Sequence, residues 1–312
     1  MSETEPAAGR VVLRDQPVVD FSHLTSPDQL AGIDRIEDVA LVVVPQSLAG
    51  AYAAISVSDV AATLYVPGGV NVRVHTGTLV TGGDGLGGAD DVLIIIGMLV
   101  ITSPVTGPAP QRIYAVGSVL APRGSEPILG PALAGGTGGV SYYPYSDGQE
   151  IKVLSGQVRL SGAVLANAGG QPDDILIAAG QVVVTGEVTT LGFRRVIVAG
   201  QLAAPADSQD LLEPGFQTQG QVGWYQGGDP RVLNQDTTLG PDYFRLLDHP
   251  VNLVVFGDLT IADGVTEAMM RDKIGGIVLF GDAIAPPGLV GMLQVLATDV
   301  FGDIRASGGP RS

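Results

Sequence analysis

One motif recurs through this chain and limits what it can become. A short run of Val, Ile, Leu and Ala leads into a glycine, and a second apolar run follows. The segments read VNVRVHTGTLV around Gly77, DDVLIIIGMLVIT around Gly97 and QRIYAVGSVLAP around Gly117. They return as EIKVLSGQVRLSG at Gly156, DDILIAAGQVVVTG at Gly180 and RRVIVAGQLAAP at Gly200, with a fainter GQV at Gly220. A third series runs VNLVVFGDLTIADG at Gly257, GGIVLFGDAIAPPG at Gly281 and VFGDI at Gly302. Successive glycines within a series lie 20 to 24 residues apart. A longer duplication overlies this one: Asp90 to Pro122 matches Asp173 to Pro205 at an offset of 83 residues, and a looser third copy ends at Gly288.

Helices do not explain the pattern. The runs are short, rich in β-branched residues, and broken by glycines that each cost a helix about 1 kcal/mol relative to Ala. Alternating βαβ units fit no better, because most gaps hold only a few turn-like residues and a parallel crossover needs a dozen or more. Short turns join parallel strands when each coil of about 20 residues stacks on the one before, with strands about 4.8 Å apart. The expectation is therefore an all-β chain: a single-stranded parallel β-solenoid with coils of about 20–24 residues, spanning 36–305. Each repeat glycine would mark a corner that needs positive φ or close backbone approach. A Gly-rich β-sandwich is the competing architecture.

Several stretches interrupt the repeat. Residues 1–35 read as a polar tail followed by a capping helix that starts at Ser26-Pro27-Asp28-Gln29, a capping-box pattern. Residues 123–149 and 206–250 read as long loop insertions. They carry Tyr142, Tyr143, Tyr145, Phe216, Trp224, Tyr225, Tyr243 and Phe244, half of the chain's aromatic side chains. Exposed, Tyr142, Tyr143, Tyr145, Trp224 and Tyr225 would form an interaction surface for another protein or a glycan; buried, they would form a satellite core under the loops. Residues 265–276 read as one short helix ended by Gly275, and 306–312 as a mobile tail.

Composition narrows the function. The 312 residues hold 16 basic and 32 acidic side chains, a net charge of −16, and no cysteine. That excludes disulfide scaffolds, thiol catalysis and Cys-ligated zinc. It also disfavours phosphate-driven nucleic-acid binding and attraction to anionic lipid. The polar start MSETEPAAGR and the lack of a long apolar run point to a cytoplasmic protein with no membrane insertion.

Candidate chemistry sits next to the repeat glycine. The following residue is Gln157, Gln181, Gln201 and Gln221 in the central series and Asp258, Asp282 and Asp303 in the last. Stacked glutamines can share amide hydrogen bonds along the axis. Stacked aspartates about 5 Å apart could hold a cation or act as a glycosidase-like pair, so Asp258, Asp282 and Asp303 are the catalytic candidates. GGDGLGGADDVLI resembles the calcium-binding nonapeptide of RTX proteins, which makes Asp84, Asp90 and Asp91 the calcium candidates; a Gly-rich turn before a strand explains the same residues. Gly83 to Gly88 satisfies GxGxxG, but a strand follows it rather than a helix, which excludes a dinucleotide site. No nucleophile–base constellation can be assembled from neighbouring residues, and no cofactor is implied.

The segment SGQVRLSGAVLANAGGQPDDILIAAGQVVVTGEV resembles the bactofilins, a polymer-forming bacterial cytoskeletal family with a repeated G-x-V-x-x-x-G-x-V signature. The matching residues are Gly156, Val158, Gly162, Val164, Gly180, Val182, Gly186 and Val188, within about residues 150–204. The coils here are longer than that family's, and insertions interrupt them. The resemblance implies a β-helix that assembles end to end without nucleotide and serves as a scaffold. A coil edge left unpaired at the C-terminus leads to the same expectation: a non-enzymatic cytoplasmic protein whose partner is itself, as a homo-oligomer or polymer. The alternative is a glycan-binding or carbohydrate-active β-helix that uses the stacked carboxylates.

Overall fold

The structure, a computed structural model, describes residues 11–133 and 139–308. The first ten residues of the expected polar tail and the last four of the C-terminal tail lie outside the described residues. The chain is mostly β and divides into two compact units, Met1–Pro144 and Tyr145–Ser312. Among the described residues, every strand pairing is parallel and the strands form five sheets.

In the first unit, β1 (Val11–Asp20), β2 (Ile33–Pro45) and β3 (Ser56–Val66) form one sheet in chain order. A second sheet holds β4 (Asn71–Thr81), β5 (Asp91–Ile101), β6 (Arg112–Pro122) and β7 (Gly139–Tyr143). Gly77 pairs with Gly97 and Gly97 with Gly117, so the repeat glycines form a column across β4, β5 and β6. Alternate residues Leu93, Ile95, Leu99 and Ile101 face one core, shared with Ile113 and Val119 of the next lap. Leu86, Val105 and Leu129 close that core from the connections. The intervening Val92 and Ile94 face the other way and pack against Leu41, Val43 and Val66 of the β1–β3 sheet. Both faces are dry, which is why DDVLIII shows no polar alternation.

In the second unit, β8 (Ile151–Ser161), β9 (Ile175–Thr185), β10 (Arg195–Pro205) and β11 (Phe216–Tyr225) repeat this arrangement, with Gly156, Gly180, Gly200 and Gly220 in register. Beyond them each lap is broken into two strands. β12 (Arg231–Leu233), β14 (Val251–Val255), β16 (Ile274–Leu279) and β18 (Ala297–Val300) form one sheet. β13 (Thr237–Leu239), β15 (Leu259–Ile261), β17 (Ala283–Ala285) and β19 (Ile304–Ala306) form the other. Val183 and Ala203 meet Val254, Phe256, Val278 and Phe280 across the facing sheets.

The single solenoid expected over 36–305 is therefore replaced by separate stacks of laps. The physical reason lies in the strands that are apolar on both faces. One column buries only its inner face, whereas Val92, Ile94, Val183 and Ala203 need a second sheet over the outer one. Each fully buried Val, Leu or Ile contributes about 1.5–3 kcal/mol, so the second contact outweighs keeping one continuous column.

Other expectations shift in detail. The region read as tail and capping helix contains β1, paired in register with β2. The Ser26 capping box is present, but it starts a single 3-10 turn, Pro27–Gln29, between these strands. Where glycines turn the other laps, Asp15, Asp38 and Asp59 sit at φ of 55, 54 and 52°. The residues on either side of them are paired across β1, β2 and β3, so these aspartates form the same corner column. Asp tolerates the left-handed region because its side chain can bond locally. The region 123–149 contains the helix Glu126–Leu133 and β7; 206–250 contains β11, β12, β13 and the helix Pro241–Arg245. The 265–276 helix is Glu267–Lys273, and Gly275 lies in β16 rather than at a helix cap.

The glycine column is enforced by contact as well as by φ. A Cβ on Gly97 would lie 2.3 Å from the Gly77 carbonyl oxygen, and one on Gly200 2.2 Å from that of Gly180. Each four-stranded glycine stack is also pinned by a tyrosine from its last strand. The Tyr143 hydroxyl donates to the Ile101 carbonyl at 2.6 Å, and the Tyr225 hydroxyl to the Val184 carbonyl at 2.7 Å. Both reach two laps back, from β7 to β5 and from β11 to β9.

Replacing Gly200 with Ala, at φ +133°, should cost about 3 kcal/mol, from left-handed strain plus overpacking against backbone. Urea unfolding would measure it. Tyr225→Phe leaves the buried Val184 carbonyl without its donor and should cost about 1–3 kcal/mol in the same assay.

Candidate functional site

The acidic column is built by the broken laps of the second unit. Asp258, Asp282 and Asp303 follow Gly257, Gly281 and Gly302, where β14, β16 and β18 give way to β15, β17 and β19. The carboxylates of Asp258 and Asp282 each hold the lap after their own, and Asp236 holds that of Asp258. The Asp258 amide donates to Asp236 Oδ1, the Asp282 amide to Asp258 Oδ1, and the Asp303 amide to Asp282 Oδ1, all at 2.9 Å. Arg305 stands 3.9 Å from Asp282 Oδ2. The column is therefore a carboxylate-to-amide ladder that fastens consecutive laps where the strands break. Asp236 is a fourth member that the sequence does not reveal, because Gln235 precedes it instead of Gly. Beside the ladder, Phe256, Phe280 and Phe301 stack at 4.9 and 5.0 Å between ring centres.

The glutamine column forms in register, but only part of it bonds along the axis. Gln201 Nε2 donates to Gln221 Oε1 at 3.1 Å, while Gln157 Oε1 accepts from Asn234 Nδ2 at 3.1 Å.

The calcium candidates are not gathered into a cation site. Asp91 Oδ1 accepts from Asn71 and Oδ2 from the Gly88 amide, both at 2.9 Å. These bonds, with Arg73 3.6 Å away, hold its carboxyl below the usual carboxylate range. Among the described residues, no group of three or more His, Cys, Asp or Glu side chains could hold a metal ion, and Asp84 and Asp90 do not join Asp91 in one. The Gly-rich loop is a turn tied down by Asp91.

The aromatic candidates divide. Tyr143 and Tyr225 are buried and form the two staples, so they are not surface groups. Tyr142 packs against the core of Leu93 and Ile113, and Trp224 against that of Leu176 and Leu202. The Trp224 amide donates to Asp299 Oδ2 at 2.6 Å. Tyr145 is half-buried. Tyr142, Tyr143, Trp224 and Tyr225 are thus taken up by cores and staples rather than forming an exposed patch.

Sequence reasoning missed a buried polar cluster in the second unit. Asp174 is 1% exposed. Its Oδ2 accepts from Asn167 Nδ2 at 3.0 Å and from the Gln171 amide at 2.9 Å. Lys152 Nζ lies 3.5 Å from Asp174 Oδ2 and donates to Asn167 Oδ1 at 2.8 Å, over the Phe193 ring. The Asn167 bond, supported by Gln171 and Lys152, holds the Asp174 carboxyl below the ordinary carboxylate range against the opposing effect of burial. Asn167 adopts φ +47°, and the only sequence signal was an Asn-Ala-Gly-Gly turn ahead of paired aspartates. The cluster clamps the turn before β9 onto β8.

A cavity of about 710 Å³ in the same unit is lined by Glu187, Asp207, Ser208, Tyr225 and Asp229. Asp229 Oδ1 is already bonded to the Gly186 amide at 2.6 Å, and the Tyr225 hydroxyl to Val184. None of these contacts pairs a nucleophile with a base. Among the described residues no helix is long and apolar enough to cross a membrane. No family model, no curated protein and no solved structure matches this chain.

Asp174 sets a pH dependence. A carboxylate whose folded pKa is depressed stabilises the fold above its unfolded value, about 3.9, and that contribution is lost as pH falls through the folded pKa. Asp174→Asn should cost about 2 kcal/mol at pH 7, the order expected for breaking a partly buried pair. The gap to wild type should narrow below about pH 4, as read from paired denaturation curves.

Proposed function

We propose that the chain is a non-enzymatic scaffold protein of the cytoplasm that self-associates through the open ends of its lap stacks, the role implied by its bactofilin resemblance. Each stack is read as a short parallel solenoid. The observation that supports this is the way the apolar columns run out onto the edges. Val57 on β3 is 40% exposed, while its partner Ile36 on β2 is fully buried. Val80 on β4, Leu154 on β8 and Val300 on β18 repeat the pattern beside buried Val100, Ala178 and Leu279. An edge strand that carries core residues is a template for another strand.

Enzymatic use of the acidic column is disfavoured because an amide of the neighbouring lap engages one oxygen each of Asp258 and Asp282. The −16 charge sets copies against one another at low ionic strength. Light scattering and negative-stain microscopy between roughly 0.05 and 0.5 M salt should show assembly rising with salt as that repulsion is screened. Monomers at every concentration and salt would overturn the reading.

A further inference from the structure

The second unit has two distinct ends. Its two sets of laps start together, with Asn234, just after β12, bonded to Gln157 on β8. They finish together, with Trp224 on β11 bonded to Asp299 on β18. One end therefore presents the edges of β8 and β12, and the other the edges of β11 and β18.

We propose that copies of this chain join head to tail and in register, β11 of one copy adding to β8 of the next, so that Gly220 lies over Gly156. This rests on the scaffold reading and specifies its interface. The glycine column carries the argument. In every later lap a Cβ would strike the carbonyl oxygen of the glycine one lap earlier, at 2.4 Å for Gly180, 2.2 Å for Gly200 and 1.9 Å for Gly220. Gly156 keeps the same left-handed conformation at φ +90°, yet nothing lies within 4 Å of its Cβ position. The first lap thus retains the notch that each later lap fills with a glycine carbonyl. The open end at β11 offers such a carbonyl, on Gly220.

Side chains agree with that register. Leu154, 39% exposed on β8, continues the column of Ala178, Val198 and Thr218, so the added strand would cover it with Thr218. At the other end, Val300 and Phe301 are exposed, and the Phe256–Phe280–Phe301 stack stops at an open face. The occupant is a second copy of this chain because its own β8 and β12 supply the matching lap length and glycine position. A contact between unlike ends is heterologous, so it yields rings or open filaments rather than a symmetric dimer.

The test uses the full chain and sedimentation velocity at the salt where wild type assembles. Gly156→Asn adds a Cβ to the notch. Asp15, Asp38 and Asp59 occupy the corresponding corner of β1–β3 only at φ of 52–55°, against +90° at Gly156, so their laps stack without the close glycine contact that the added Cβ would obstruct here. The expected result is a folded chain whose melting temperature falls no further than that of the control below, since both carry left-handed strain, and at least a tenfold rise in the concentration needed for half-assembly. Gly124→Asn is the control, an equally open glycine at φ +96° in the turn after β6, and it should assemble as wild type. If Gly156→Asn fails to fold, Leu154→Lys at the same exposed edge reads the same interface. Assembly of the edge variants at the wild-type concentration would overturn the register while leaving self-association standing, as would a wild type that stops at a dimer. A wild type that never assembles would overturn both readings.

Discussion

The two glycine stacks depend on backbone meeting backbone at the corner of each lap. Where Gly97, Gly117, Gly180, Gly200 and Gly220 turn, the carbonyl of the preceding glycine occupies the space that a Cβ would take. That contact sets the register for every side chain in the strand, since glycine must lie over glycine and the residues on either side follow. Val over Val and Ile over Leu are consequences of a steric rule at one position. In the last set of laps the rule changes form: Gly257, Gly281 and Gly302 allow close approach without positive φ, and the aspartates after Gly257 and Gly281 supply the fastening as hydrogen bonds.

The second organising constraint is that strands such as β5 and β9 are apolar on both faces. The inner face closes over connections that contribute Leu86, Val105 and Leu129 in one unit and Leu165, Val188 and Phe193 in the other. The outer face needs a partner sheet. The chain meets that need by ending one column and starting another alongside it, which multiplies the number of edge strands. A structure with this many edges must either protect them or use them. β1 carries Pro17, which blunts one edge, whereas β8 carries Leu154 and an open glycine corner.

Much of this was legible in the sequence, for physical reasons that also explain what was not. The glycine columns could be read because only glycine fits there, and the parallel stacking because the gaps are too short for crossovers. The corner of Asp15, Asp38 and Asp59 was hidden, because aspartate serves many purposes and leaves no unique mark. The division into separate stacks was hidden as well, because a repeat period states what lies over what but not where a column ends. The position of Asp258, Asp282 and Asp303 was legible, but their role was not. Their partners are main-chain amides one lap away, and an amide carries no signature in a sequence. Of the two readings of the aromatic insertions, the buried one holds for Tyr143 and Tyr225, whose hydroxyls are spent on carbonyls inside the stack, partners that no sequence pattern marks.

Those two tyrosines have a consequence for how the structure comes apart. Because each hydroxyl is tied to a strand two laps away, the lap between them is fenced in, and it cannot detach while both neighbours stay. Loosening must begin at an outermost strand and travel inward. The two four-lap columns should therefore behave as indivisible blocks, their middle strands exchanging amide hydrogens only when the whole block opens.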